Sequence, residues 1–126
     1  MDGQGHRDYA ERIMRTLDKL GPDDYEMAIE GSMLSATHWI NFALHGCGVT
    51  PADEDVHHTY FLTGNSRRRY SILAKDMLDA LEEIEEIRPM YVRGDVAGGS
   101  DAADHARGLL AKVRGMALDA KPINGS

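Results

Sequence analysis

The chain contains little of what marks secreted, membrane-bound or disulfide-rich proteins. It has one cysteine, four prolines and 6% aromatic residues in 126 positions. The single Cys47 excludes an internal disulfide and is typical of a reducing compartment, so the sequence predicts a cytoplasmic protein. No run of about eighteen or more apolar residues occurs, and the polar start MDGQGHRDYAER lacks the apolar segment of a secretory signal. The sequence therefore predicts no membrane partner.

Positive charge is scarce as well. The 14 lysines and arginines stand against 21 acidic residues, which gives a net charge of −7. Proteins that bind DNA along its phosphates carry a basic face, so this balance argues against DNA as a partner. The one cationic run, Arg67-Arg68-Arg69, opens an acidic helix. We expect it to pair with neighbouring carboxylates such as Asp76, and the alternative is an anion contact.

The common catalytic motifs are missing too. The chain has no GxSxG, P-loop, GxGxxG or HExxH pattern. His57 and His58 are adjacent, so on a helix they diverge by about 100°. His38 and His45 lie two helical turns apart, about 10 Å along the axis, which is too far to share a small ion without other ligands. The sequence therefore predicts no metal site and no cofactor, and it assigns no catalytic residue.

What the chain does have is a long amphipathic segment from Arg69 to Arg93. Its apolar residues recur at steps of three and four, the period of one helix face. The acidic run 82–86 occupies the other side and is interpreted as a solvated face. Pro89 is expected to break this helix after Arg88. The residues of the apolar stripe are Leu73, Met77, Leu81, Ile84, Ile87 and Tyr91.

Three further segments show the same period. The predicted helices cover about 6–20, 23–45, 66–88 and 100–117, and a short extra helix is expected between Pro51 and Leu62. We therefore expect one all-α domain over 1–126, an antiparallel up-and-down four-helix bundle with frayed ends at about 1–5 and 119–126. The aromatic side chains of Trp39, Phe42, Tyr60 and Phe61 exceed what one stripe can bury. This favours a homodimer that uses part of the second helix or the segment His57–Leu62.

The end of the third helix carries the binding candidates Arg88, Tyr91 and Arg93. A helix break at a bundle end directs side chains into a cleft, and an arginine there binds phosphate or carboxylate in a bidentate manner. The alternative is a helix stop at which Arg88 pairs with a glutamate. His57 and His58 complete the candidate set.

The order of features resembles the HEPN superfamily, small helical bundles that include nucleotidyltransferase-associated subunits and RNase toxins. The likeness covers about 23–116. The segments that carry it are SMLSATHWINFALHGCGVTP, DVHHTYFL, LAKDMLDALEEIEEIRPMYVRG and DAADHARGLLAKVRG. The resemblance implies a homodimer and a protein partner such as a nucleotidyltransferase.

RNase members of that superfamily carry an arginine, then a polar residue, and a histidine four to six positions beyond the arginine. Here Pro89 follows Arg88, and Arg93 stands where the histidine is expected. The resemblance therefore implies a non-enzymatic binding or accessory module that docks a protein partner or a small nucleotide-like anion. The alternative is a metal-independent RNase acting at a dimer interface, in which Arg88 works with a histidine near in space: His57, His58 or His105.

Overall fold

A computed structural model describes residues 1–94 and 96–122, and all regular structure in that part of the chain is helical. The predicted all-α four-helix bundle is confirmed. A 3-10 turn precedes the third helix, and a π-helical turn follows it. The elements are α1 (Gly3–Leu17), α2 (Tyr25–Gly46), the 3-10 turn (Thr59–Phe61), α3 (Gly64–Arg88), the π turn (Pro89–Arg93) and α4 (Gly99–Asp119).

The second helix is the centre of the bundle and packs against α1, α3 and α4. Its apolar residues extend round most of its circumference, so it is buried on several sides. Trp39, which the sequence assigned to an oligomer surface, is instead fully buried. Tyr60 and Phe61 are exposed as expected. No helix in the described ranges combines the length and the apolar character that a membrane span requires.

The N-terminus is ordered, contrary to the prediction of a frayed end at 1–5. Asp2 caps α1, because its Oδ1 accepts a hydrogen bond from the amide of Gly5 at 2.8 Å. The terminal amine of Met1 donates to the carbonyl of Ala52 at 3.2 Å. The first helix therefore begins three residues earlier than predicted and ends at Leu17 rather than near residue 20. Of the frayed tail predicted at about 119–126, residues 123–126 lie outside the described part.

The third helix differs from its prediction at both ends. Thr63, not Ser66, is its cap, and its hydroxyl accepts from the Ser66 amide at 3.1 Å. Arg88 keeps helical angles (φ −56°, ψ −48°), and the chain widens into the π turn after it, so Pro89 does not break the helix. The irregular backbone lies instead at Ala74 (φ −119°, ψ 23°).

The fourth helix begins at a glycine rather than at a capping side chain. Gly98 has φ 98°, a left-handed conformation that glycine adopts without strain, and the predicted caps Ser100 and Asp101 fall inside the first turn. Gly99 lies against the ring of Tyr25 so closely that a Cβ atom would clash with it. The predicted loop before this helix includes Asp95, which is outside the described residues.

Candidate functional site

Arg88 reaches across the bundle from α3 to α2. Its Nε donates to Oε1 of Glu30 at 2.8 Å, and the arginine side chain is 16% exposed. This hydrogen bond raises the pKa of Arg88 above its ordinary value. The alternative for Arg88, pairing with a glutamate, is the arrangement present, although the partner comes from α2 and not from its own helix.

The predicted binding residues divide between two cavities. Arg88 and Arg93 line a cleft of ≈490 Å³ together with Tyr60 and three glutamates. His57 and His58 line a different cavity, on the side of α1. Tyr91 is half-buried against the core, and neither cavity is lined by it. The five candidates therefore do not form one site.

Glu85 is buried, contrary to the prediction that the acidic run is a solvated face. Its carboxylate accepts hydrogen bonds from the amide of Thr59 and from His58 Nδ1, each at 3.0 Å, and from the Thr59 hydroxyl. Glu85 follows the stripe residue Ile84 and lies four residues beyond Leu81, which places it on the inner face. It anchors the 3-10 turn, and this explains why the expected longer helix at 56–62 does not form.

A second polar cluster, which the sequence analysis did not identify, lies where α1 begins and α2 ends. His6 comes from the first turn of α1, His45 from the last turn of α2, and Asp55 from the loop that follows. Nε2 of His6 lies 3.0 Å from Asp55 Oδ1, and Nε2 of His45 lies 2.7 Å from the same oxygen. One ligand atom from each residue lies within 4.8 Å of the other two, so these residues form a group that could hold a metal ion. We call it the His–Asp cluster.

Each histidine of the cluster has a partner on its other ring nitrogen. Nδ1 of His6 lies 2.8 Å from Nδ1 of His38, and Nδ1 of His45 lies 2.7 Å from the Thr50 hydroxyl. The ring of Tyr9 stacks on His38 with centroids 5.2 Å apart. These contacts fix the orientation of both imidazoles, so that their Nε2 atoms point at Asp55.

The loop that carries Asp55 is held by Asn41. The Asn41 amide donates to the carbonyl of Val56 at 2.8 Å, and its Oδ1 accepts from the Val56 amide at 2.7 Å. Both groups are buried. A paired contact of this kind fixes the backbone beside Asp55, and therefore the position of its carboxylate relative to the two histidines.

The surroundings of the cluster set its protonation states. Burial lowers the pKa of His6 and of His38 below the ordinary value of 6.5. Burial alone favours a higher pKa for Asp55, but the hydrogen bonds from His45 and His6 outweigh it and leave the pKa of Asp55 below its ordinary value. The surroundings therefore favour a neutral His6 imidazole beside an ionised Asp55 carboxylate at neutral pH.

The sequence did contain a signal for this cluster. His38, Asn41 and His45 have the spacing i, i+3, i+7 and form a polar row along one side of α2. His6 lies four residues before the buried Ala10, in line with the core face of α1. Spacing between histidines of a single helix does not reveal the cluster, because it takes one residue from each of three segments.

A cavity of ≈230 Å³ adjoins the cluster. His6, Asp55 and His38 all contribute to its wall, so the cluster is accessible from it. The remaining lining residues are Met1, Met33, Leu34, Thr37, Asn41, Val56, His57 and His58.

Comparison with protein-family models, with curated proteins and with solved structures finds no significant match to this chain. The HEPN resemblance therefore stays a prediction.

Proposed function

We propose that the protein binds a divalent transition-metal ion through the Nε2 atoms of His6 and His45 and a carboxylate oxygen of Asp55. The observation that carries the proposal is the convergence of two imidazole nitrogens on one carboxylate oxygen, at 3.0 and 2.7 Å. The proposal departs from the sequence-based expectation that the chain has no metal site.

The distances suit a metal with little rearrangement. Zinc–nitrogen and zinc–oxygen bonds of about 2.0–2.1 Å in a tetrahedron place neighbouring ligand atoms roughly 3.3 Å apart. The contacts to Asp55 Oδ1 are a few tenths of an ångström shorter than this. A small outward shift of the Asp55 side chain, which is 23% exposed, makes room for the ion.

The partners on the far side of each imidazole support both the free and the metal-bound state. A metal on Nε2 requires the proton to sit on Nδ1, which then needs a hydrogen-bond acceptor. His38 Nδ1 and the Thr50 hydroxyl can each either donate or accept. Both imidazoles can therefore exchange tautomers on metal binding without losing these contacts.

The donor set suits a divalent first-row transition metal such as zinc. Two imidazoles and one carboxylate suit zinc and other first-row metals better than magnesium or calcium, which prefer oxygen ligands. Zinc binds nitrogen and oxygen sites more tightly than Mn²⁺, Fe²⁺ or Co²⁺. We therefore expect zinc to displace cobalt from this site.

Cobalt titration of tag-free protein tests the proposal, because Co²⁺ reports its ligands through its visible absorption. We expect saturable binding of one Co²⁺ per chain, with a spectrum typical of a tetrahedral nitrogen and oxygen site, and displacement by Zn²⁺. His45→Gln should abolish the spectrum. His105→Gln is the matched control, since His105 is an exposed histidine on α4 that contacts Glu83.

Equal cobalt binding by the wild type and by His45→Gln would contradict the proposal. Binding that disappears in the His105→Gln control would contradict it as well. In either case the cluster serves only as a polar anchor that joins the start of α1 to the loop after α2.

A second candidate function rests on the cleft between the 3-10 turn and the π turn. The binding-module hypothesis from the sequence stays a proposal here, and the exposed Tyr60, which lines the same cleft as Arg93, supports it. Three glutamates share the cleft and Arg88 is already paired with Glu30, so a small nucleotide-like anion suits the cleft better than a long polyanion. Nucleotide-dependent thermal stabilisation that Tyr60→Ala removes would support this candidate.

The RNase alternative receives no support from these contacts. Arg88 and His58 are held by different glutamates, Glu30 and Glu85, and face different cavities. The homodimer, the nucleotidyltransferase partner and the cytoplasmic location stay predictions from the sequence. Sedimentation at micromolar concentration tests the homodimer, and Phe61→Ser should weaken it if the exposed Tyr60–Phe61 pair lies in the interface.

A further inference from the structure

A groove of ≈340 Å³ lies between α1 and α2, and none of the proposed metal ligands lines it. Two of the side chains along it stay largely exposed, Met27 at 58% and Leu34 at 48%. Apolar side chains that are exposed together along a groove are typical of a surface that contacts another molecule. The apolar lining consists of Ile13, Leu17, Leu20, Met27, Met33 and Leu34.

The shape of the groove suits a short helical segment. Met27 and Leu34 are seven residues apart on α2, which spans about 10 Å or two helical turns. At the floor α1 and α2 are already in contact, because a Cβ atom added to Gly31 would lie 2.6 Å from Cδ2 of Leu17. The two helices therefore cannot close the groove by moving together. A helix bound in such a groove places apolar anchors at i, i+3 or i+4, and i+7.

The edge of the groove formed by residues 12–20 is basic, although the chain as a whole is acidic. Arg12, Arg15 and Lys19 are exposed, and each is next in sequence to a residue that lines the groove. The salt bridges among residues 1–94 and 96–122 include none of these three side chains. Arg12 lies over the ring of Tyr9, with its guanidinium carbon 4.3 Å from the ring centroid.

The opposite edge provides no free carboxylate for these cations. Among the described residues that line the groove, Glu30 is the one acidic side chain, and its Oε1 accepts a hydrogen bond from Nε of Arg88 at 2.8 Å. Charges beyond a Debye length of about 8 Å are screened at physiological ionic strength. The cations at the edge therefore act on a bound segment more strongly than the distant acidic residues of the chain do.

We propose that this groove docks an acidic amphipathic α-helix of a partner protein, with apolar anchors between α1 and α2 and carboxylates facing Arg12, Arg15 and Lys19. The length of the groove and the character of its lining match the apolar stripe of such a helix. The unpaired basic edge determines the sign of its charge. The inference goes beyond the metal site and does not depend on it.

Fluorescence anisotropy with a designed peptide tests the proposal. The probe is a labelled amphipathic peptide of about 18 residues, long enough to form a helix, with leucines as anchors and glutamates on its flanks. A peptide of the same composition in scrambled order and one with lysines in place of the glutamates are the comparisons. We expect saturable binding of the acidic peptide, about tenfold tighter than that of either comparison and weaker at high salt.

Met27→Asp places a charge in the apolar groove at an exposed position, so the fold tolerates the change. It should weaken binding of the acidic peptide by about tenfold or more, since apolar surface is no longer buried and like charges meet. Ile72→Asp makes the same change at a position on α3 that is 66% exposed, and it should behave as the wild type. Zinc affinity should be unchanged in both variants.

A charge reversal tests the basic edge separately. Lys19→Glu should weaken binding of the acidic peptide by about fivefold, the size expected for an exposed ion pair, and should strengthen binding of the lysine peptide. Lys112→Glu, at an exposed position on α4, changes the net charge of the chain equally and is the matched control. Equal effects of the two variants would mean that net charge, and not the edge of the groove, attracts the peptide, which would contradict the proposal.

Three other results would overturn the inference. The acidic peptide could show no saturable binding up to millimolar concentration, or bind equally to the wild type and to Met27→Asp. Sedimentation could show a dimer of the wild type that Met27→Asp dissociates, in which case a second copy of this chain covers the groove. The wild type could bind vesicles that contain phosphatidylserine but not the peptide, in which case the surface contacts lipid. None of these results bears on zinc binding, so the two proposals fail separately.

Discussion

The cleft at the end of α3 and the His–Asp cluster at the start of α1 both consist largely of ionisable side chains, but these side chains are arranged differently. In the cleft, Arg88 pairs with Glu30 across the bundle, and the carboxylate of Glu85 accepts hydrogen bonds from the 3-10 turn. The charges of Arg88 and Glu30 neutralise each other, and these contacts hold α3 against α2 and against the 3-10 turn. The charges of the cleft therefore contribute mainly to the fold.

In the cluster, two nitrogens converge on a single carboxylate oxygen. All three atoms are potential metal ligands, and a cation between them would be attracted by each one. A ligand site is therefore recognised by several polar atoms that are directed at one point. A high density of charge, such as the acidic run of α3, does not by itself indicate such a site.

The strongest test of the structural role assigned to the cleft is Glu85→Ala. Removing a buried carboxylate leaves the Thr59 amide and hydroxyl and His58 without their acceptor. We expect the free energy of unfolding to fall by about 3 kcal/mol. Urea denaturation measures this, and Glu86→Ala at the exposed neighbouring position is the control. A loss no larger than that of the control would mean that Glu85 does not anchor the turn.

Thr50→Val should lower the metal affinity of the cluster more than it lowers the stability of the fold. The change keeps the shape of residue 50 but removes the oxygen that contacts His45 Nδ1. Loss of such a partner behind a metal ligand costs about 10- to 100-fold in affinity. Competitive zinc titration measures the loss, and Thr16→Val, on the exposed side of α1, is the control. Unchanged zinc affinity would argue against the proposed orientation of His45.

The ion pair of Arg88 and Glu30 should contribute less to the free energy of unfolding than Glu85 does. Both side chains are partly exposed, so solvent screens their attraction. A double-mutant cycle with Arg88→Met and Glu30→Gln should give a coupling of about 1 kcal/mol and leave zinc affinity unchanged. The same cycle on the exposed pair of Lys75 and Asp79 should give a smaller coupling energy. Loss of zinc binding in Arg88→Met would contradict the view that the cleft stabilises the fold while the His–Asp cluster binds the metal.

The smallest effect that we predict is a gradual loss of stability of the metal-free protein in acid. The pKa of His6 and of His38 is lowered in the folded state, so the unfolded chain binds more protons as the pH falls below 6.5, the ordinary value. The stability that these groups contribute is present above that pH and decreases below it. Asp55, whose pKa is also lowered, adds a further loss below the ordinary carboxyl value of 3.8.

Thermal unfolding at several pH values in the presence of a chelator tests this prediction. The double variant His6→Gln with His38→Gln should show a flatter pH dependence between neutral pH and pH 5 than the wild type. An equally steep profile in both proteins would assign the acid sensitivity to other groups.

Helical periodicity was enough to predict the bundle. The stripe from Leu73 to Ile87 and the broad apolar surface of α2 each follow from local spacing, and four such segments leave few other ways to bury a core. The ends were harder to predict, because Asp2, Thr63 and Gly98 act through single local contacts that the apolar pattern does not report.

The site could not be predicted in the same way, because its residues meet only in the folded chain. His6 and Asp55 are 49 positions apart. Their contact depends on how α1 packs against α2 and on the hydrogen bonds by which Asn41 holds the loop after α2. Spacing within α2 argues against an ion shared by His38 and His45. It gives no information about a ligand that comes from α1 or from the loop after α2. Local spacing could not name the glutamate that pairs with Arg88 either, since Glu30 lies on another helix.

The most direct test of the central claim is equilibrium dialysis of the tag-free chain against Zn²⁺, in native buffer and in denaturing urea. The three ligands come together only through the fold, so we predict one tightly bound zinc per chain in native buffer and loss of that binding in urea. The Asp55→Asn variant should lack the tight site even when it is folded. Zinc binding that is equal in wild type and Asp55→Asn, or absent from the folded wild type, would contradict the account.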